Sequence, residues 1–329
     1  MKTRRKMIAL MTVLWIGLSL QAQAVKNDVV LVEKGEARAL VCVPEGLMAD
    51  DVVLPKDAVY TDQRDEQQRR RLRDSVHDLV HYVEVMSGAK LDVAEGRVSA
   101  TEKRLPIYVG SLATEVFGPA AKSYPHQQGW RLVVSDRGIG LIGESDLAAS
   151  YALYEVLHRF GCRWYMPGEL GECIPTSETL ALGAGDLSTT PSTVWRGIWY
   201  PGTRSTLGPG YRIPLNSNEP FNRRNRQGGL PLVAAHNLER LVTAEQREAH
   251  PEWRAIVNGQ PHSVKLKWTR PEVAEAIAQN LIAQLDKVYQ PVLCLGPDDS
   301  KGWDESEDPA FDAGDWTIRL TLSRRRIAY

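Results

Sequence analysis

Apolar positions in the first half of the chain fall into short blocks with distinct periods. Val29-Val30-Leu31-Val32 and Ala39-Leu40-Val41-Cys42-Val43 are continuous apolar runs of strand length, within a stretch from Asp28 to about Pro55 that reads as strands with turns. A charged stretch then leads into Leu72, Val76, Leu79, Val80, Val83 and Met86. Their three- and four-residue spacing predicts a helix, and Gly88 stands where such a helix stops. Leu105 to Gly110 reads as a short buried strand. Trp130, Leu132 and Val134 alternate with Arg131, Val133 and Ser135, which predicts another strand. Asp136-Arg137-Gly138 is turn chemistry, and Ile139, Leu141 and Ile142 form the returning strand. Ser145 or Asp146 caps a helix running through Phe160 and ended by Gly161, followed by a strand at Arg163-Trp164-Tyr165. This order predicts an α/β domain over residues 25–175, with helices packed on a mixed sheet.

The pattern then changes. Residues 176–193 are rich in Ser, Thr, Gly and Ala and read as a linker containing one short strand. Val194 to Tyr200 (VWRGIWY) reads as the first strand of a second unit, followed by a Gly-, Pro-, Asn- and Arg-rich loop over 201–230. Thr243-Ala244-Glu245-Gln246 is a capping box for a short helix. A longer helix carries Val273, Ile277, Leu281, Ile282, Leu285 and Val288 on one face, and Pro291 to Leu295 is the strand after it. Strands alternating with helices predict a partial (β/α) TIM-type barrel over 194–316, its site on the loops after the strands. A full barrel takes about 250 residues, whereas about 139 follow Thr190. Residues 317–329 resume no pattern, so a C-terminal truncation is expected.

The first residues carry a different message. Lys2, Arg4, Arg5 and Lys6 precede an apolar run from Met7 to Leu20, and Ala22-Gln23-Ala24 supplies a small-x-small cleavage pattern. The run is short of the roughly 20 residues that span a bilayer. Residues 1–24 are therefore expected to be a signal peptide, and the protein to be periplasmic or extracellular, without stable membrane insertion after cleavage. Removing these four positive residues takes the formal charge from -1 to about -5, which gives no electrostatic reason to expect nucleic acid as a partner. Nine tryptophans and eleven tyrosines against four phenylalanines fit sugar stacking, and fit ordinary core use equally well. Of Cys42, Cys162, Cys173 and Cys294, the pair closest in sequence is Cys162 and Cys173; export would permit a disulfide, and free thiols fit as well.

Several patterns suggest chemistry. Gly138-Ile139-Gly140-Leu141-Ile142-Gly143 fits G-x-G-x-x-G, but its intervening residues are strand-like and the helix cap comes only at Ser145 or Asp146. A hairpin is the better reading than a nucleotide loop. His77 and His81 are four apart on a helix, yet a zinc site needs a third ligand, so no metal and no cofactor are expected. The strand ends of the second unit are stronger candidates. Arg196, Trp199 and Tyr200 end its first strand, His236-Asn237 follow Val233-Ala234-Ala235, and Asp298-Asp299 follow Cys294-Leu295-Gly296-Pro297. In a barrel these positions converge on one face. Asp298 or Asp299 is the candidate catalytic carboxyl, since glycoside hydrolysis uses a carboxyl pair. Arg196, Trp199, His236 and Asn237 are the candidate substrate-binding residues. Pro297-Asp298-Asp299-Ser300 also fits a plain turn or helix cap.

The stretch GWRLVVSDRGIGLIGESDLAASYALYEVLHRFGCRWYMPGELGECIP resembles the end of the small α/β domain that precedes the catalytic barrel in family 67 α-glucuronidases and family 20 hexosaminidases. RWYMPGELGE at 163–172, HPEW at 250–253 with VNG at 257–259, and LGPDDS at 295–300 are more similar to an uncharacterised bacterial family, domain of unknown function 4838. The resemblance covers most of residues 28–315 and departs after Trp316. It implies a non-catalytic bracing domain before a barrel, and carries over no catalytic residue. The expectation is an exported glycoside hydrolase-like protein with a carbohydrate substrate, inactive if truncated. The alternative is a non-catalytic carbohydrate-binding or structural protein of the cell envelope. The sequence sets no oligomeric state.

Overall fold

The computed structural model of the chain describes residues 28–55, 58–99, 101–122, 126–198, 218–230, 236–267, 270–285, 294–296 and 304–306. The expected signal peptide, Trp199, Asp298, Asp299 and the expected atypical tail lie outside them.

The first half contains β1 (Asp28–Glu33), β2 (Glu36–Ala37), β3 (Ala39–Val43), α1 (Tyr60–Ser87), β4 (Asp92–Glu95), β5 (Leu105–Val109) and α2 (Gly110–Phe117). It continues with β6 (Trp130–Ser135), β7 (Gly138–Gly143), α3 (Asp146–Arg159), β8 (Arg163–Trp164), β9 (Glu172–Cys173), β10 (Leu180–Gly183) and β11 (Gly185–Thr189). Six strands form a sheet in the order β11-β6-β7-β5-β3-β4. β7, β5, β3 and β4 are parallel neighbours, while β6 pairs antiparallel with both β7 and β11. The α/β class and the mixed sheet expected from the sequence are what the chain adopts.

Alternation within each strand builds a layer on both faces of this sheet. Ala39, Val41, Val43, Ile107, Val109, Leu132, Val134, Ile139 and Leu141 face α1 and α3, joining Leu72, Val76, Leu79, Val83, Tyr151 and Leu153 in the main core. Leu40, Cys42, Tyr108, Val133 and Ile142 face the other way and pack against Leu112, Ala113 and Phe117 of α2. Two buried faces explain why β3 reads as an unbroken apolar run.

Local signals set the helix ends. The Ser145 hydroxyl accepts from the Ala148 N–H at the start of α3, and Gly88 ends α1 in the left-handed region with φ 76°. G-x-G-x-x-G is β7, the returning strand of the β6–β7 hairpin, with Trp130 opposite Gly143 and Ser135 opposite Gly138. Its glycines serve packing. A Cβ on Gly143 would stand 2.1 Å from the Ala149 nitrogen, and one on Gly140 would stand 2.6 Å from the Phe117 ring. Where one short strand was expected in 176–193, there are two. β10 pairs with β1 and β11 extends the six-stranded sheet, because Leu180 and Leu182 alternate into the main core.

Beyond Thr189 the described elements are β12 (Trp195–Arg196), α4 (Asn218–Arg224), β13 (Gly228–Gly229), α5 (Ala244–Ala249), β14 (Arg254–Val257), β15 (Gln260–Leu266) and α6 (Pro271–Leu285). The capping box forms at α5, with Thr243 and Gln246 each accepting from the other's N–H. Val242, Trp253, Leu266, Val273, Ala276 and Ile277 form a separate small core. Ile282, expected on the apolar face of α6, is 59% exposed. Cys42, Cys162 and Cys173 are free thiols, Cys162 buried and Cys173 exposed.

Candidate functional site

The described part of the arginine-rich segment before Leu230 is not a solvated loop. Its residues 218–230 dock on the first domain through α4, whose arginines enter a socket built by α1, α3 and the 163–172 motif. Arg224 grips Asp78 with two hydrogen bonds, Nη2 to Oδ1 at 3.1 Å and Nε to Oδ2 at 3.2 Å, and donates to Glu172 at 2.7 Å. Arg223 donates to the Tyr154 hydroxyl at 2.9 Å, and Tyr154 donates to Asp78 Oδ2 at 2.6 Å. Trp164 donates to the Tyr82 hydroxyl at 3.0 Å, which donates to Glu172 at 2.8 Å. Burial pushes the Tyr154 and Tyr82 hydroxyls well above the ordinary tyrosine range, so both remain donors. Burial works against the Arg223 charge, but Tyr154, Asp78 and Glu219 hold its pKa above the usual value. Trp164 and Glu172, the ends of the tryptophan–glutamate portion of RWYMPGELGE, are thus members of an interface.

Next to this socket, Arg226 donates to Glu155 at 2.7 Å and to His158 Nδ1 at 3.2 Å. Arginine only donates, so Nδ1 accepts and the His158 proton sits on Nε2, which is buried with no hydrogen-bond partner. Burial, reinforced by the Arg226 and Arg163 charges, lowers the His158 pKa to about 4.

Arg196 lies in the same seam. Its guanidinium donates to the Arg226 carbonyl at 3.1 Å, Gln128 Oε1 at 2.9 Å and the Thr193 carbonyl at 3.1 Å, and stacks over the Tyr151 ring at 4.9 Å. These contacts give Arg196 a bracing position between the two parts of the chain. His77 and His81 lie on the exposed side of α1.

His236 and Asn237 are brought to the predicted third strand end. His236 and Gly296 form a parallel bridge, and the Asn237 and Leu238 N–H groups both donate to the Gly296 carbonyl at 3.0 Å. His236 is exposed, while Asn237 Oδ1 is buried with no hydrogen-bond partner. Arg196 does not touch this pair through any described contact. Trp199, Asp298 and Asp299, outside the described residues, carry no geometry here.

Both flanks of the Pro297–Trp303 segment are anchored. Gly296 holds one, and the other is Asp304-Glu305-Ser306, laid along the β14–β15 hairpin. Glu305 donates its N–H to the Ile256 carbonyl at 2.8 Å, and Asp304 accepts from the Ile256 N–H at 2.9 Å. The Glu305 carboxylate accepts from Asn258 and Gly259 at 2.8 and 2.9 Å, and these hydrogen bonds hold its pKa below the usual range. Sequence reasoning missed this clamp, although Asn258-Gly259 is a strong signal for a two-residue hairpin turn. It also missed Glu239, a buried carboxyl two residues past Asn237.

No protein-family model matches the chain, and no curated protein matches it. Among solved structures it is similar to the GH20 β-N-acetylhexosaminidase from Streptomyces coelicolor A3(2), with 13% identity, 82% of this chain and 43% of that chain covered, and a TM-score of 0.34. The Streptomyces plicatus N-acetyl-β-hexosaminidase gives 13% identity, 82% and 44% coverage, and a TM-score of 0.33. A family GH115 4-O-methyl-α-glucuronidase with specificity for decorated arabinogalactans gives 16% identity, 91% and 40% coverage, and a TM-score of 0.44. The chain spans less than half the length of each. The sequence resemblance named family 20 for the hexosaminidases and family 67, rather than 115, for the glucuronidases.

Proposed function

We propose that this is an exported glycoside hydrolase-like protein acting on polysaccharide or glycan, with Asp298 or Asp299 supplying one carboxyl group of the reaction. The observation that carries the reading is the parallel bridge between His236 and Gly296. It sets His236 and Gly296 side by side in the same direction, each following a segment that the sequence reads as apolar and strand-like, which supports a (β/α) arrangement. Gly296, the residue before Pro297, thus lies beside His236 and Asn237. Asn237 Oδ1, buried and unpartnered, is an acceptor available to a sugar hydroxyl. His236 and Asn237 hold substrate, Trp199 stacks on a sugar ring, and Arg196 braces the unit on which they sit.

Glycosidic bonds are cleaved by one carboxyl that protonates the leaving oxygen and a second that acts as base or nucleophile. Adjacent aspartates on an extended segment point apart, so one of the two faces the substrate and the other does not. The leader at residues 1–24 supports export.

Incubating the purified chain with a panel of neutral and acidic polysaccharides, with mass spectrometry of the released products, tests the activity. Release of oligosaccharides is the expected result. Glycan binding with no product from any member of the panel would instead support the non-catalytic reading.

A further inference from the structure

A cleft of about 750 Å³ opens between the polar side of α1 and the β12–β13 seam. This is within the ordinary size range for a small-molecule site. Its charged lining residues are Arg64, Arg70, Arg71, Asp74 and Glu219. Four of these five are already committed. Arg64 pairs with Asp65, Arg70 with Glu66 and Asp51, Asp74 with Arg73 and Arg223, and Glu219 with Arg223.

Arg71 differs. Its Nε donates to Ser150 Oγ at 3.1 Å and its Nη2 to the Gln227 carbonyl at 2.8 Å, and the guanidinium lies over the Tyr151 ring at 5.7 Å. Among the described residues it makes no ion pair with a carboxylate. The Nε–Nη2 edge is thus fixed by neutral groups, Nη2 also lying 3.4 Å from the Arg223 carbonyl, and Nη1 is left at the wall formed by Gly228. A side chain there would cover it, since the Cβ position of Gly228 is 3.7 Å from Nη1. Nη1 of a guanidinium held this way can donate one charge-assisted hydrogen bond to a carboxylate without reorganisation.

The rest of the wall suits a sugar. Trp195 lines the cleft, with Gly197 close beneath its indole and the residue 40% exposed. Gln67, Gln68 and Gln127 offer amide donors and acceptors. His126 also lines it, with Nδ1 buried and no hydrogen-bond partner.

We propose that this cleft binds a carboxylate-bearing sugar, a uronate unit of an acidic oligosaccharide, with Arg71 on the carboxylate and Trp195 on the ring face. The inference rests on the glycan-acting reading above for its ligand class, but it is independent of cleavage and uses neither Asp298 nor Asp299.

Calorimetric titration of the purified chain with trigalacturonate and with β-1,4-linked triglucuronate, against galactotriose and cellotriose as neutral counterparts, tests it. At least one acidic trimer is expected to bind about tenfold or more tightly than its neutral counterpart, since hydrogen bonds to charged groups are the stronger ones. Arg71→Gln and Trp195→Ala are each expected to weaken that binding by about tenfold, and inorganic phosphate is expected not to displace it. Trp195→Ala keeps the test decisive if Arg71→Gln fails to fold. No preference for either acidic trimer, displacement by phosphate, or full affinity in Trp195→Ala would overturn the proposal. Cleavage without uronate preference would sink this cleft alone, whereas uronate binding without cleavage would sink the hydrolase reading alone.

Discussion

Gly143 shows how one residue decides what a motif means. In G-x-G-x-x-G a glycine can make room for a phosphate, but here it makes room for α3, whose Ala149 nitrogen stands 2.1 Å from the position of a Cβ. Gly143→Ala should therefore lower stability by about 2–3 kcal/mol, the cost of forcing a helix off a strand, read as a lower midpoint in urea unfolding. His158 gives a residue-scale pH signature. Its folded pKa is about 4, against about 6.5 in an unfolded chain. Between those values the unfolded chain takes up a proton that the folded chain refuses. Stability is therefore complete above about pH 6.5 and declines as pH falls toward 4. His158→Gln should flatten this part of the curve, checked by comparing unfolding midpoints at pH 7 and pH 5 for both proteins. Identical slopes would contradict the assignment. The His158 environment was not legible in the sequence, because neither its burial nor the approach of Arg226, 68 residues away, leaves a local pattern.

At the scale of elements, what could be read depended on whether the signal was local. The β6–β7 hairpin, the Ser145 cap, the Gly88 stop and the Thr243–Gln246 capping box are all set by neighbouring residues, and all are present. α2 was missed because it follows β5 directly, and its N-cap position, Val109, makes no side-chain cap. β11 was missed because its residues are mostly exposed and its partner β6 is some 50 residues distant. The docking of α4 was invisible for the same reason: Arg223 and Arg224 look like loop charges until Asp78 is placed between them. Asp78→Ala should cost about 3–5 kcal/mol, because it removes the one carboxylate that both enclosed guanidinium groups share. Changing Arg224 to Met in the same protein should recover part of that loss, again by denaturant unfolding. Removing the α5 cap with Thr243→Ala should cost only about 1 kcal/mol.

For the whole molecule, the described residues show a mixed α/β domain whose sheet is covered on both faces, and a second part tied to it by buried arginine pairs. The candidate site was legible only in outline. Strand-end reasoning chose His236, Asn237 and the segment after Gly296; the parallel bridge pairs His236 with Gly296, and Asp298 and Asp299 lie outside the described residues. It also chose Arg196, whose contacts lie instead in the seam with Tyr151 and Gln128. Strand-end position follows from pattern, but the direction of a long side chain follows from which distant partner reaches it first. The clamp of Asp304 and Glu305 on the β14–β15 hairpin adds a structural reason for the Asp298-Asp299 segment to have fixed ends. The most direct test of the proposed function is the rate of product release from a cleaved glycan by the unmodified chain, Asp298→Asn and Asp299→Asn, measured side by side. One of the two substitutions should reduce the rate by about a hundredfold or more, with glycan affinity and folding retained. Equal rates for all three proteins would contradict the account.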